Sequence, residues 1–123
     1  MTERMSAPEA LEWLQRAVAT QGPEFVYSVS GRSTGCHYRP VQAYGESDPR
    51  SKTGCLIGTA MVLAGREIHP EMEGRSVMDG FCILSWNLSG EAARVLATAQ
   101  WAQDNGKSWG EALAAAITFA GEE

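Results

Sequence analysis

The segment Gly54-Cys55-Leu56-Ile57-Gly58-Thr59-Ala60-Met61-Val62-Leu63-Ala64 is almost wholly apolar and closes on Gly65. The architecture turns on what this segment becomes. It falls short of the ~18 apolar residues that a membrane span needs, so it reads as an interior element. A buried helix is the preferred form, and a buried strand is the alternative that periodicity does not separate from it.

Amphipathic segments flank this run and supply the faces that fold onto it. Ser6-Ala7-Pro8-Glu9 carries a capping-box pattern, with Pro8 tolerated in the opening turn. The helix it opens runs to about Gln21 and stops at Gly22-Pro23, with Ala10, Leu11, Leu14, Ala17 and Val18 at helical spacing. Downstream, Ser89 caps a helix whose stripe is Ala92, Val95, Leu96, Ala99 and Ala102, ending at Asp104-Asn105-Gly106. Ser108 and Glu111 form a second capping box ahead of Trp109, Ala112, Leu113, Ala116 and Ile117. Short helical turns are expected around Pro70–Glu73 and, after a Ser76 cap, through Phe81-Cys82-Ile83-Leu84, where Gly80 weakens the pattern.

Phe25-Val26-Tyr27-Ser28-Val29 is aromatic and β-branched, and a Gly31–Gly35 turn follows it. Cys36-His37-Tyr38-Arg39 then reads as the second strand of a hairpin. The residues from Pro40 to Lys52 read as the longest loop. The expected fold class is therefore α+β and mainly α: about four to six helices packed with a short N-terminal β-hairpin, in one domain spanning 1–123.

Composition narrows the function classes. At 123 residues, 44% apolar and 20% charged, the chain can bury roughly 65–70% of its unfolded surface in one core. A net charge of −5 disfavours attraction to a phosphate backbone. A local basic patch from Arg32, Arg39, Arg50 and Lys52 is the form nucleic-acid binding would take. The three cysteines, Cys36, Cys55 and Cys82, include no CxxC pair, and an odd number fits poorly with a secreted disulfide framework. Reduced thiols, a cytoplasmic location and no membrane association are the expectation, since Met1–Met5 also lacks an apolar signal core.

Among residues with chemical potential, Cys55 stands first. At the start of a helix, unpaired backbone N–H groups can lower a thiol pKa, and His37 is the candidate base. The competing and preferred reading is a small apolar residue in the first turn of a core helix. Cys36, His37, Cys55, His69 and Cys82 match no zinc-ligand spacing, so no metal and no cofactor are expected. Ser30–Gly35 lacks the Gly-Lys-Ser/Thr ending of a P-loop. Glu67, Glu71, Glu73 and Asp79 read as a solvated charged face. Gly54 and Gly58, four apart, read as allowing close packing. Of the four tryptophans, Trp13 and Trp109 read as core, whereas Trp86 and Trp101 are open to a role on a surface.

The order of Tyr27, Cys36-x-Tyr38, Gly54-Cys55-Leu56-Ile57-Gly58, Glu73-Gly74-Arg75-Ser76 and Ala99-Gln100-x-x-Gln103-Asp104-x-Gly106-x-x-Trp109-Gly110-Glu111-Ala112 resembles a group of small proteins encoded by actinobacteria and their phages. That resemblance implies an accessory protein of a phage or integrated element. It carries over no activity and no catalytic residue.

The leading functional expectation is a non-enzymatic interaction protein that binds a host or phage protein, with a homodimer as a related form. Trp86, Trp101, Arg32, Arg39 and Tyr44 are the expected contact residues. The alternative is a cysteine-dependent enzyme or small-ligand binder centred on Cys55, with His37 approaching the helix start.

Overall fold

A computed structural model describes residues 4–27, 37–40, 53–73 and 75–121. Among these, the elements are five α-helices: α1 (Ala7–Gln21), α2 (Leu56–Leu63), α3 (Gly80–Trp86), α4 (Gly90–Asp104) and α5 (Trp109–Gly121), with a 3-10 turn at Pro70–Met72.

Helix starts follow local chemistry almost throughout. At α1, Ser6 Oγ accepts from Glu9 N (3.3 Å) while Glu9 Oε1 accepts from Ser6 N (3.1 Å). The same reciprocal pair forms at α5, where Ser108 Oγ accepts from Glu111 N (3.2 Å) and Glu111 Oε1 from Ser108 N (3.0 Å). Each box satisfies two donors that the helix leaves unpaired. Ser89 caps α4 through Ala92 N at 3.0 Å. For α3 the cap is Asp79, which accepts from Phe81 N at 2.9 Å, in place of the Ser76 cap expected. Asn87 ends α3 in the left-handed region at φ 54°, a conformation asparagine tolerates better than most residues.

The apolar run is the helix α2, with Leu56, Ile57, Gly58, Ala60 and Met61 buried. Helix α1 packs on α2, α4 and α5, and α4 packs along α5. Buried residues of all five helices belong to one cluster, which also takes in Met5, Tyr27 and Tyr38 from outside them. Met5 is held by Asn87 O (2.9 Å) and by Ser89 N (3.0 Å), forming an isolated bridge to Leu88 that ties the N-terminal segment to the α3–α4 link.

The expected N-terminal β-hairpin is corrected: the described residues contain no strand, and the fold is helical instead of α+β. Residues 28–36, which include the expected turn, lie outside the described residues. The described parts of the two would-be strands send carbonyls to helix starts, and they are joined by a side-chain bond, from the Tyr27 hydroxyl to His37 O at 3.2 Å. Pro23 O and Phe25 O accept from Gly110 N and Trp109 N, both at 2.8 Å, and His37 O accepts from Cys55 N at 2.8 Å. Helix N-termini supply a surplus of donors, and extended segments with free carbonyls satisfy them as readily as a second strand does. No helix among the described residues is long and apolar enough to cross a membrane.

Candidate functional site

Contacts from distant parts of the chain converge on the start of α2. Cys55 occupies the N-cap, and its Sγ accepts from Gly58 N at 3.4 Å. Sulfur is a weak acceptor, and the next donor, Leu56 N, is met from a distant helix by Gln103 Oε1 at 2.7 Å. The same oxygen accepts from Trp109 Nε1 at 3.2 Å. One buried amide on α4 thereby joins the beginnings of α2 and α5.

The segment 37–40 lies across the glycines of α2. A Cβ at Gly54 or at Gly58 would overlap the Tyr38 carbonyl, so both positions require glycine for this close approach. Glu73 holds the segment from the other side, accepting from Tyr38 N (2.7 Å) and Arg39 N (3.1 Å). The Tyr38 ring is buried, with its edge against Trp86 at a centroid distance of 5.0 Å. Its hydroxyl donates to Arg75 O (2.6 Å) and accepts from Gln100 Nε2 (2.9 Å). Gln100 Oε1 in turn accepts from Val77 N at 3.1 Å. Burial pushes the Tyr38 phenol well above its ordinary range, and it stays a donor at any ordinary pH.

On the outward side of this interlock, Tyr38, Arg39 and Pro40 face the exposed edge of α2 across a groove of about 590 Å³. Val62 and Leu63 in its wall are 60% and 42% exposed. Arg39 and Arg66 also line it, each oriented by a backbone carbonyl: Arg39 Nη2 donates to Ile68 O and Arg66 Nη1 to Trp86 O.

The candidate residues divide accordingly. His37 and Cys55 come together through a backbone bond, but Cys55 is fully buried and disulfide-bonded, so its sulfur is no free nucleophile in this state. Of the other cysteines, Cys82 is a buried free thiol and Cys36 lies outside the described residues. This corrects the expectation of three reduced thiols, because spacing along the chain does not determine which sulfurs meet in space. Burial also pushes the Cys82 thiol upward, away from a reactive thiolate.

Trp86 is fully buried and donates Nε1 to Glu67 O at 2.8 Å, which corrects its assignment to a contact surface. Trp101 is 69% exposed. Arg39 is exposed at its surface position, whereas Arg32 and Tyr44 lie outside the described residues. The described residues contain no group of three or more His, Cys, Asp or Glu placed to hold a metal ion.

Gln100 and Gln103 are the residues that sequence reasoning missed. They lie at i+4 and i+7 from Leu96 and continue the buried face of α4, so the helical period alone marked them as interior positions. A buried amide at such a position implies partners waiting for it. No protein-family model, curated protein or solved structure matches the chain. Geometry alone therefore characterises the described residues: five helices pinned by buried glutamines, with an apolar groove and a projecting indole.

Proposed function

We propose that this chain is a non-enzymatic protein-interaction module that holds a partner protein against the outward face of α4. The observation that carries the reading is the 69% exposure of Trp101 between neighbours, Gln100 and Ala102, that are buried. An indole presented on a helix whose opposite face is fixed in the core loses little freedom on binding. Tryptophan is also the residue most enriched among the few that dominate binding energy. The full burial of Cys55 supports a binding role over a catalytic one in either redox state of its sulfur.

The reading extends, through the resemblance noted above, to an accessory protein of a phage or mobile element whose partner is a host protein in the cytoplasm. In that reducing compartment Cys55 is expected as a thiol, because disulfides seldom persist there.

The test is recovery of a stoichiometric partner from host lysate on immobilised wild type, on Trp101→Ala and on a surface control, Arg94→Ala. The exposed substitution is expected to leave stability within about 0.5 kcal/mol. The partner should be recovered by wild type and the control and lost by Trp101→Ala. Equal recovery on all three, or none on wild type, overturns the reading. Light scattering distinguishes a second copy of the chain: a dimer that Trp101→Ala dissolves identifies the partner as the chain itself.

A further inference from the structure

The groove along α2 is separate from the Trp101 face, and its chemistry points to a different kind of ligand. Its volume of about 590 Å³ lies within the ~300–1,000 Å³ of small-molecule sites. Glycines 54 and 58 keep side chains out of the space between α2 and Tyr38, while Val62, Leu63 and Ile68 make the wall apolar. Such a wall suits an aliphatic body.

Charge selects the head group. Among the described residues the groove is lined by two guanidinium groups, Arg39 and Arg66, and one carboxylate, Glu67. The ion pairs among the described residues are Glu12–Arg16 and Arg75–Asp79; neither groove arginine is within ion-pair distance of a described carboxylate, and the charge of Arg66 is felt at Glu9. Each spends one donor on a carbonyl, which steers the guanidinium without neutralising it. Arginine has five donors, and the remaining ones fit a planar carboxylate.

We propose that this groove is a binding site for a small amphipathic carboxylate, with the aliphatic chain against Val62, Leu63 and Ile68 and the head group between Arg39 and Arg66. The interlock of Tyr38 with the glycines of α2 preforms the site. Binding leaves the Trp101 face free, so the two activities are independent.

The experiment is an amide-resolved NMR titration of the full chain with sodium decanoate, decanol and decyltrimethylammonium, each below its micelle concentration. Decanoate is expected to shift the amides of Gly54, Gly58, Thr59 and Gly65 saturably. Decanol should bind about tenfold more weakly, the equivalent of one charge-assisted contact, and the cation should give no saturable shift at these amides. Arg39→Gln should weaken decanoate by about fivefold or more, with Arg39→Lys recovering part of the loss. Val62→Glu, at an exposed wall position, places a carboxylate in the groove without touching the core and should abolish binding, whereas Trp101→Ala should bind decanoate as wild type does. The proposal is overturned if decanoate gives no saturable shift at these amides, if decanol binds as tightly, or if Val62→Glu binds normally.

Discussion

Helices α5 and α2 both begin against an extended segment, yet their starts are built in opposite ways. At α5 the sequence supplies its own cap, the Ser108–Glu111 box, and the carbonyls of Pro23 and Phe25 merely add to it. At α2 the local side-chain acceptor among the described residues is the sulfur of Cys55, and the strong contacts arrive from far away: Gln103 to Leu56 N and His37 O to Cys55 N. One start is encoded within four residues, the other by residues 18 and 47 positions distant. The helix with the weaker local code is the one that builds the groove wall, so the geometry of that site depends on tertiary contacts.

The sharpest way to break the contrast is Gln103→Leu. It strands two buried donors, Leu56 N and Trp109 Nε1, and each unpaired group costs about 1–3 kcal/mol, so a loss of about 4 kcal/mol is expected in urea unfolding. A loss within 1 kcal/mol, roughly what a surface change gives, would show that Gln103 is not a shared cap. Next in size is the Cys55 disulfide. Reduction should lower stability by about 2–4 kcal/mol. Cys55→Ser isolates the cross-link, because serine keeps an oxygen at the N-cap. Unchanged melting with and without dithiothreitol would contradict this.

Gly58→Ala follows, at about 2 kcal/mol, since the added methyl meets the Tyr38 backbone. Thermal unfolding gives the size of the loss, and the Tyr38 amide shift reports whether the segment is displaced.

Ser108→Ala is the smallest change, about 1 kcal/mol, and it carries a pH signature. The Ser108 backbone N–H, then its hydroxyl, hold the Glu111 carboxyl below its ordinary value. A carboxyl lowered on folding contributes stability above its unfolded pKa, near 4.3, and that contribution is lost as pH falls through the folded value. The gap between wild type and Ser108→Ala should therefore narrow in acid, below about pH 4, by the part that the hydroxyl contributes to the Glu111 shift, while the part due to the Glu111 N–H bond to Ser108 Oγ persists. Among the described residues no carboxylate caps the α2 start, and Gln103→Leu should stay equally damaging across that range. Urea unfolding of both variants at neutral and acid pH measures the difference.

This contrast also explains what could be read from the sequence. Capping boxes at Ser6 and Ser108 and the apolar stripes of α1, α4 and α5 act within a few residues, and the helices lie where those signals placed them. Phe25–Tyr27 and His37–Arg39 have strand-like side chains, but the partners of their backbone groups include helix starts distant in sequence, for Phe25 O and His37 O, and the Glu73 carboxylate, for Tyr38 N and Arg39 N. The burial of Trp86 was hidden for a similar reason, because its N–H partner is the Glu67 carbonyl, nineteen residues earlier. Glycines 54 and 58 were legible as positions of close approach, although the approaching element is the Tyr38 backbone and not another helix. The groove was not legible at all. It arises only once residues 37–40 lie across α2, and no single segment carries its signature.

Hydrogen exchange at the Leu56 amide tests the central claim most directly. If Gln103 clasps the start of α2, this amide should exchange only through global unfolding in wild type and by a fast local route in Gln103→Leu. A Leu56 amide that already exchanges in wild type as fast as the exposed turn at Gly65 would contradict the account.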